Sequence, residues 1–161
     1  MTLTKLAALP ALLALAAGAL AASPAEAAAR PAPGCAPAAS FVRADVVDGA
    51  GRPNGAYVDS RCPGRTLRVN LASRFHFLRH TGRTTPGSTI TVFYADAVSQ
   101  VELHHDAPAV RPSGVFRTGP ADLRGFASAG QTLRVVVHHE DPGPSAQQDL
   151  IEYALLAAFI S

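Results

Sequence analysis

From Phe41 onward the chain is written as short β-branched and aliphatic runs cut by glycine and proline. This texture constrains the fold more than any other feature. The sequence holds 13 glycines and 13 prolines, and beyond residue 40 they interrupt nearly every apolar run before it reaches helix length. Thr66–Leu71 shows the pattern most cleanly, with Leu67, Val69 and Leu71 in one phase and Thr66, Arg68 and Asn70 in the other. That alternation is the mark of a half-buried strand. Phe41–Val47, Ala56–Arg61, Phe75–His80, Thr89–Ala95, Gln100–His105, Gly114–Arg117 and Thr132–His139 read as further strands. The segment Asp48-Gly49-Ala50-Gly51-Arg52-Pro53-Asn54-Gly55 reads as a turn.

The C-terminal stretch Leu150–Ile160 carries two signals. Ser145-x-x-Gln148 resembles a helix capping box. Against it, Ile151, Tyr153, Leu155, Ala157 and Phe159 alternate after the turn Asp141-Pro142-Gly143-Pro144, and a strand is the preferred reading. Eight or so strands joined by Gly/Pro turns predict an all-β chain, an antiparallel β-sandwich of jelly-roll or immunoglobulin-like type occupying residues 41–161. Residues 121–135 (ADLRGFASAGQTLRV) resemble the lead-in to a late strand of jelly-roll carbohydrate-binding modules, with Ser128-Ala129 inserted. The resemblance implies a sandwich and transfers no binding residue.

The N-terminus reads as an address. Lys5 precedes an apolar run from Leu6 to Leu20, and Ala25-Glu26-Ala27 offers small-x-small cleavage, with Leu20-Ala21-Ala22 competing. Residues 1–27 are therefore expected to be a signal peptide and residues 28–40 a Pro/Ala-rich leader, giving an exported protein without a membrane span after cleavage. Cys35 and Cys62 fit that address as one disulfide, because oxidising compartments keep such pairs joined.

Six histidines supply the candidate metal chemistry. Two doublets, His104-His105-Asp106 and His138-His139-Glu140-Asp141, end predicted strands and carry first-choice ligands for zinc or copper(II). Neighbours in a strand point to opposite faces, so a site needs one histidine from each doublet on one face. Phase puts His105 and His139 with the apolar residues, and His104 and His138 with Glu102 and Arg134. Asp106 and Glu140 would complete the set. His76 and His80 share a phase as well, with Phe75 and Phe77 expected to take the core side.

Charge is uneven along the chain. Residues 28–83 hold nine arginines against three acids, and residues 84–161 four arginines against eight acids. Arg61, Arg65, Arg68, Arg74, Arg79 and Arg83 fall in a window without an acid, a candidate anion-binding set for a glycan or other envelope polymer. No nucleic-acid motif is present, nor a G-x-S-x-G elbow, P-loop or G-x-G-x-x-G. Glu102 and Glu140 are the carboxylate pair a glycosidase would use. The sequence points first to an exported, non-catalytic binding or interaction module without a cofactor, whose partner is an anionic polymer or another protein. A small zinc- or copper(II)-binding protein is the alternative, and a small hydrolase the third reading.

Overall fold

Strand formation follows the alternating runs. The computed structural model describes residues 35–62, 66–143 and 147–158. Residues 1–34, on which the expected signal peptide and most of the leader fall, and Arg65, Ser145 and Phe159–Ser161 lie outside the described residues. Ten strands run in order: β1 (Phe41–Val47), β2 (Pro53–Asp59), β3 (Leu67–Asn70), β4 (Phe77–Arg83), β5 (Thr89–Asp96), β6 (Glu102–Asp106), β7 (Val115–Arg117), β8 (Ala121–Asp122), β9 (Thr132–Glu140) and β10 (Gln148–Ala158). One 3-10 turn, Leu123–Gly125, follows β8. The C-terminal segment is a strand, as the alternation indicates.

The strands form two five-stranded sheets packed as a sandwich. Sheet A runs β2-β1-β4-β7, with β8 pairing β4 beside β7; sheet B runs β3-β10-β9-β5-β6. Pairing is antiparallel throughout except for β3 against β10, which is parallel. This departs from a purely antiparallel sandwich, because the chain leaves β3 for sheet A and returns to β3's flank only with β10.

One core fills the space between the sheets. Val42, Ala44, Val46, Leu78 and Phe116 from sheet A meet Ile90, Val92, Leu133, Val135, Val137, Leu155 and Ala157 from sheet B. Burying side chains of this size contributes roughly 1.5–3 kcal/mol for each large residue. Gly82 is required where β1, β4 and β7 meet. A Cβ there would lie 2.3 Å from the Phe41 carbonyl oxygen and 2.6 Å from the Phe116 ring. Cys35 and Cys62 are joined as a disulfide, tying the segment before β1 to the end of the β1–β2 hairpin.

The expected phase of β4 is inverted. His76, Leu78 and His80 are buried, while Phe75 and Phe77 are only partly covered. The core accepts His80 because sheet B supplies its partners. Nε2 lies 2.8 Å from the Tyr153 hydroxyl and Nδ1 lies 3.4 Å from the Tyr94 hydroxyl. Burial pushes the pKa of His80 down to about 3 and raises both tyrosines well above their ordinary value. The imidazole is neutral and links the two sheets.

Candidate functional site

The two histidine doublets are not brought together as one ligand set. A bulge between Tyr94 and Ala95 leaves Leu103 as an extra residue in β6, and this reverses the expected alternation. His104 and Asp106 consequently face inward, opposite Tyr94 and Val92, while His105 faces outward opposite Phe93. His104 stacks on Phe126 at 4.7 Å between ring centroids, and its Nε2 lies 3.3 Å from an Asp106 oxygen. His139 is inward as expected, but it lies opposite Ile90, whereas His104 lies opposite Tyr94 four residues along β5.

On the outside of sheet B the crossed pair, His105 and His138, share a face. Each is held at Nδ1 by its own carboxylate, Glu102 at 2.8 Å and Asp149 at 2.9 Å. Phe93 stands on the strand between them, its ring centroid 6.3 Å from His105 and 6.4 Å from His138. Among the described residues, no group of three or more His, Cys, Asp or Glu side chains is placed to hold a metal ion.

The residue types of a hydrolase do occur together, but not in a relay. His139 Nε2 lies 3.0 Å from Ser88 Oγ and 3.0 Å from Asp141 Oδ1, so both partners sit on the same ring nitrogen. A nucleophile relay needs the acid on Nδ1, which here is buried without a partner. Glu102 pairs opposite Ala95 and Glu140 opposite Thr89. Six residues of strand separate those positions by about 20 Å, well outside the spacing of glycosidase carboxylates.

The five described arginines of the basic window do not form one stripe, because β3 and β4 belong to different sheets; Arg65 lies outside the described residues. Arg61 is only 5% exposed; its guanidinium grips Asp59 at 2.6 Å and covers the Phe41 ring at 3.9 Å. Arg68 lies exposed on β3 of sheet B, and Arg74 lies over Phe75 in the loop before β4. Among the described residues of the window, Arg79 and Arg83 share a face, the outer face of sheet A.

On that face two arginines from other parts of the sequence join them. Register places Arg43 of β1 and Arg117 of β7 on either side of Thr81, with Arg79 opposite Asp45 and Arg83 opposite Phe41. Arg43 donates from Nε and Nη2 to one oxygen of Asp45 and lies 3.8 Å over the Tyr57 ring, while Asp59, opposite Arg43 on β2, is taken by Arg61. Arg83 and Arg117 make no hydrogen bond or ion pair among the described residues.

Arg79 is positioned by the β1–β2 turn. Asp48 accepts from the backbone N–H groups of Ala50 and Arg52, which closes the turn that the sequence signalled. Gly51 takes φ +77° there, and its carbonyl accepts from Arg79 Nη1 at 2.5 Å. Arg79 Nε is buried without a partner. Burial and the neighbouring Arg117 push the pKa of Arg79 down, Asp45 opposes this, and Arg43 adds to it. The arrangement is a partly shielded guanidinium cluster held against its own repulsion.

Sequence reasoning missed Arg43 and Arg117 because neither lies in the basic window; only strand register reveals them. No family model matches the chain, and no curated protein or solved structure matches it closely enough to inform its function.

Proposed function

We propose that the protein is an exported, non-catalytic binding module and that the outer face of sheet A binds an anionic polymer of the cell envelope. The observation that carries this reading is the cluster Arg43, Arg79, Arg83 and Arg117, of which Arg43 is paired with an acid, Asp45, while Arg83 and Arg117 have no acid partner among the described residues. Guanidinium pairs planar and tetrahedral oxyanions through parallel N–H bonds, and its charge does not titrate in the physiological range. The exposed Arg83 and Arg117, on neighbouring strands of this face, suit a polymer better than a small enclosed molecule. Export is supported by the Cys35–Cys62 disulfide and by the N-terminal address in the sequence. No helix among the described residues is long and apolar enough to cross a membrane.

The test is retention on immobilised heparin over a salt gradient, comparing the native protein with Arg43→Gln/Arg79→Gln/Arg117→Gln and with Arg68→Gln/Arg74→Gln. Retention that falls with salt and is lost only in the first variant is expected. Equal retention of the two variants would remove sheet A from the reading.

A further inference from the structure

Resting on the anion-binding reading, we infer that the centre of this face, between Arg79 and Arg117 beside the Gly51 turn, is a subsite for a phosphomonoester group carried on a glycan. The two guanidiniums converge on one place. Arg79 Nη1 and Arg117 Nη2 lie 3.1 Å and 3.9 Å from the point where a side-chain Cβ on Gly51 would stand. Pro120 Cγ lies 3.9 Å from the same point, and a side chain on residue 51 would press on the Arg79 guanidinium, so glycine is what lets both cations stand beside this turn.

The two cations are unequally engaged. Arg117 has no acid partner among the described residues, and Arg79 has only the Gly51 carbonyl on Nη1, with its Nε–H unmatched. The carboxylates of the face are engaged elsewhere: Asp45 accepts at Oδ1 from both Nε and Nη2 of Arg43, Asp59 is paired with Arg61, and Asp122 accepts from the Arg124 backbone and lies beside His76. Two like charges are therefore held near one another; Asp45 stands opposite Arg79 but is bonded to Arg43, and an anion seated there relieves the repulsion on both.

The chemistry of the anion follows from the number of donors. A carboxylate has two oxygens in one plane and is satisfied by a single guanidinium fork, which leaves the second cation unmatched. A phosphomonoester has three terminal oxygens in a tetrahedral arrangement and a charge of about −1.5 to −2 at neutral pH, so it can accept from the Arg117 fork and from Arg79 at once. A sulfate ester has the same shape with half that charge. Arg43 and Arg83 flank the pair on the sheet and extend the positive field to the rest of the polymer.

The inference is tested by NMR titration of the protein with glucose 6-phosphate, glucose 6-sulfate and glucuronate, which share a sugar ring and differ in the anion. The expected result is a shift of the Arg79 Nε–H and Arg117 side-chain resonances, with glucose 6-phosphate bound at least tenfold more tightly than glucuronate. Affinity for the phosphate should rise between pH 5.5 and 7.5, as its second proton leaves near pH 6, while that for the sulfate stays flat. Arg117→Gln, a change at an exposed side chain, should abolish the preference, whereas Arg68→Gln should leave it intact.

Glucuronate binding as tightly as the phosphate, or a preference unchanged in Arg117→Gln, overturns the subsite. If heparin retention persists in that case, the anion-binding reading survives alone; loss of both heparin and phosphate binding overturns both. Phosphatidylcholine vesicles doped with phosphatidic acid provide the lipid comparison. Their outcompeting an equal concentration of glucose 6-phosphate would replace the glycan with a membrane surface and overturn the assignment.

Discussion

His80 makes a quantitative claim about acid stability. Its imidazole is fully buried, bonded to Tyr153 and near Tyr94, and its pKa is about 3 in the fold against 6.5 in an unfolded chain. Below pH 6.5 the unfolded state therefore binds a proton that the folded state refuses, and stability falls as pH drops. The contribution is fully present above about pH 6.5 and is lost progressively down to about pH 3. Each pH unit inside that window corresponds to about 1.4 kcal/mol, so this one group removes about 2 kcal/mol at pH 5 and about 3 kcal/mol at pH 4.

The assay is urea unfolding at pH 7.5, 6, 5 and 4 of the native protein and of His80→Gln, which keeps a donor and an acceptor but cannot ionise. The difference in pH dependence between the two isolates His80 from the other histidines, whatever the absolute stability of the variant. Tyr153→Phe, which removes one partner but not the titration, should retain the native slope. Parallel profiles for native protein and His80→Gln between pH 7.5 and 5 would refute the reasoning.

Four further outcomes follow from the same geometry. Replacing both Cys35 and Cys62 by serine opens a covalent loop of 27-residue separation and should lower stability by roughly 3–4 kcal/mol, seen as a drop in Tm of roughly 10 °C. Asp59→Ala takes the carboxylate from buried Arg61 and should cost about 3–5 kcal/mol in denaturant unfolding. Burial alone would raise the pKa of Asp59, but hydrogen bonds from the Arg61 side chain and backbone hold it below the ordinary value, so this pair also weakens as pH falls below about 3.8. Gly82→Ala forces β1 and β4 apart against Phe116 and should cost about 3 kcal/mol by the same measurement. Calorimetric titration with Zn²⁺ at pH 7.5 should show no binding tighter than a variant with His104, His105, His138 and His139 all changed to alanine; micromolar binding lost in His105→Ala/His138→Ala would establish a metal site across Phe93.

The sandwich was legible because its strands are local. Phe41–Val47 and Thr132–Glu140 announce themselves by residue type and by the turns that bound them, and the disulfide by an even cysteine count. What was not legible depends on pairing. The bulge at Leu103 reverses the facing of His104 and His105, and nothing in Glu102-Leu103-His104-His105-Asp106 marks it. Strand β2 begins at Pro53, inside a segment that reads as turn, because Val47 pairs with Pro53 across a tight hairpin. His80 reads as an edge residue until Tyr94 and Tyr153 arrive from the opposite sheet. The arginine face is assembled from positions 43, 79, 83 and 117, and a linear window finds only half of it.

The parallel pair at the edge of sheet B bears on how the molecule is made. Leu67 of β3 pairs with Leu155 of β10, 88 residues apart in sequence, and β10 also supplies the antiparallel partner of β9. Until β10 leaves the ribosome, β3 has no neighbour in its sheet, β9 has an open edge, and Tyr153 is not yet available to His80. The nascent chain can close the β1–β2 hairpin early, but sheet B must wait for its tenth strand. Contacts of such long range make folding slow and late. Most of the chain is therefore synthesised before sheet B can close.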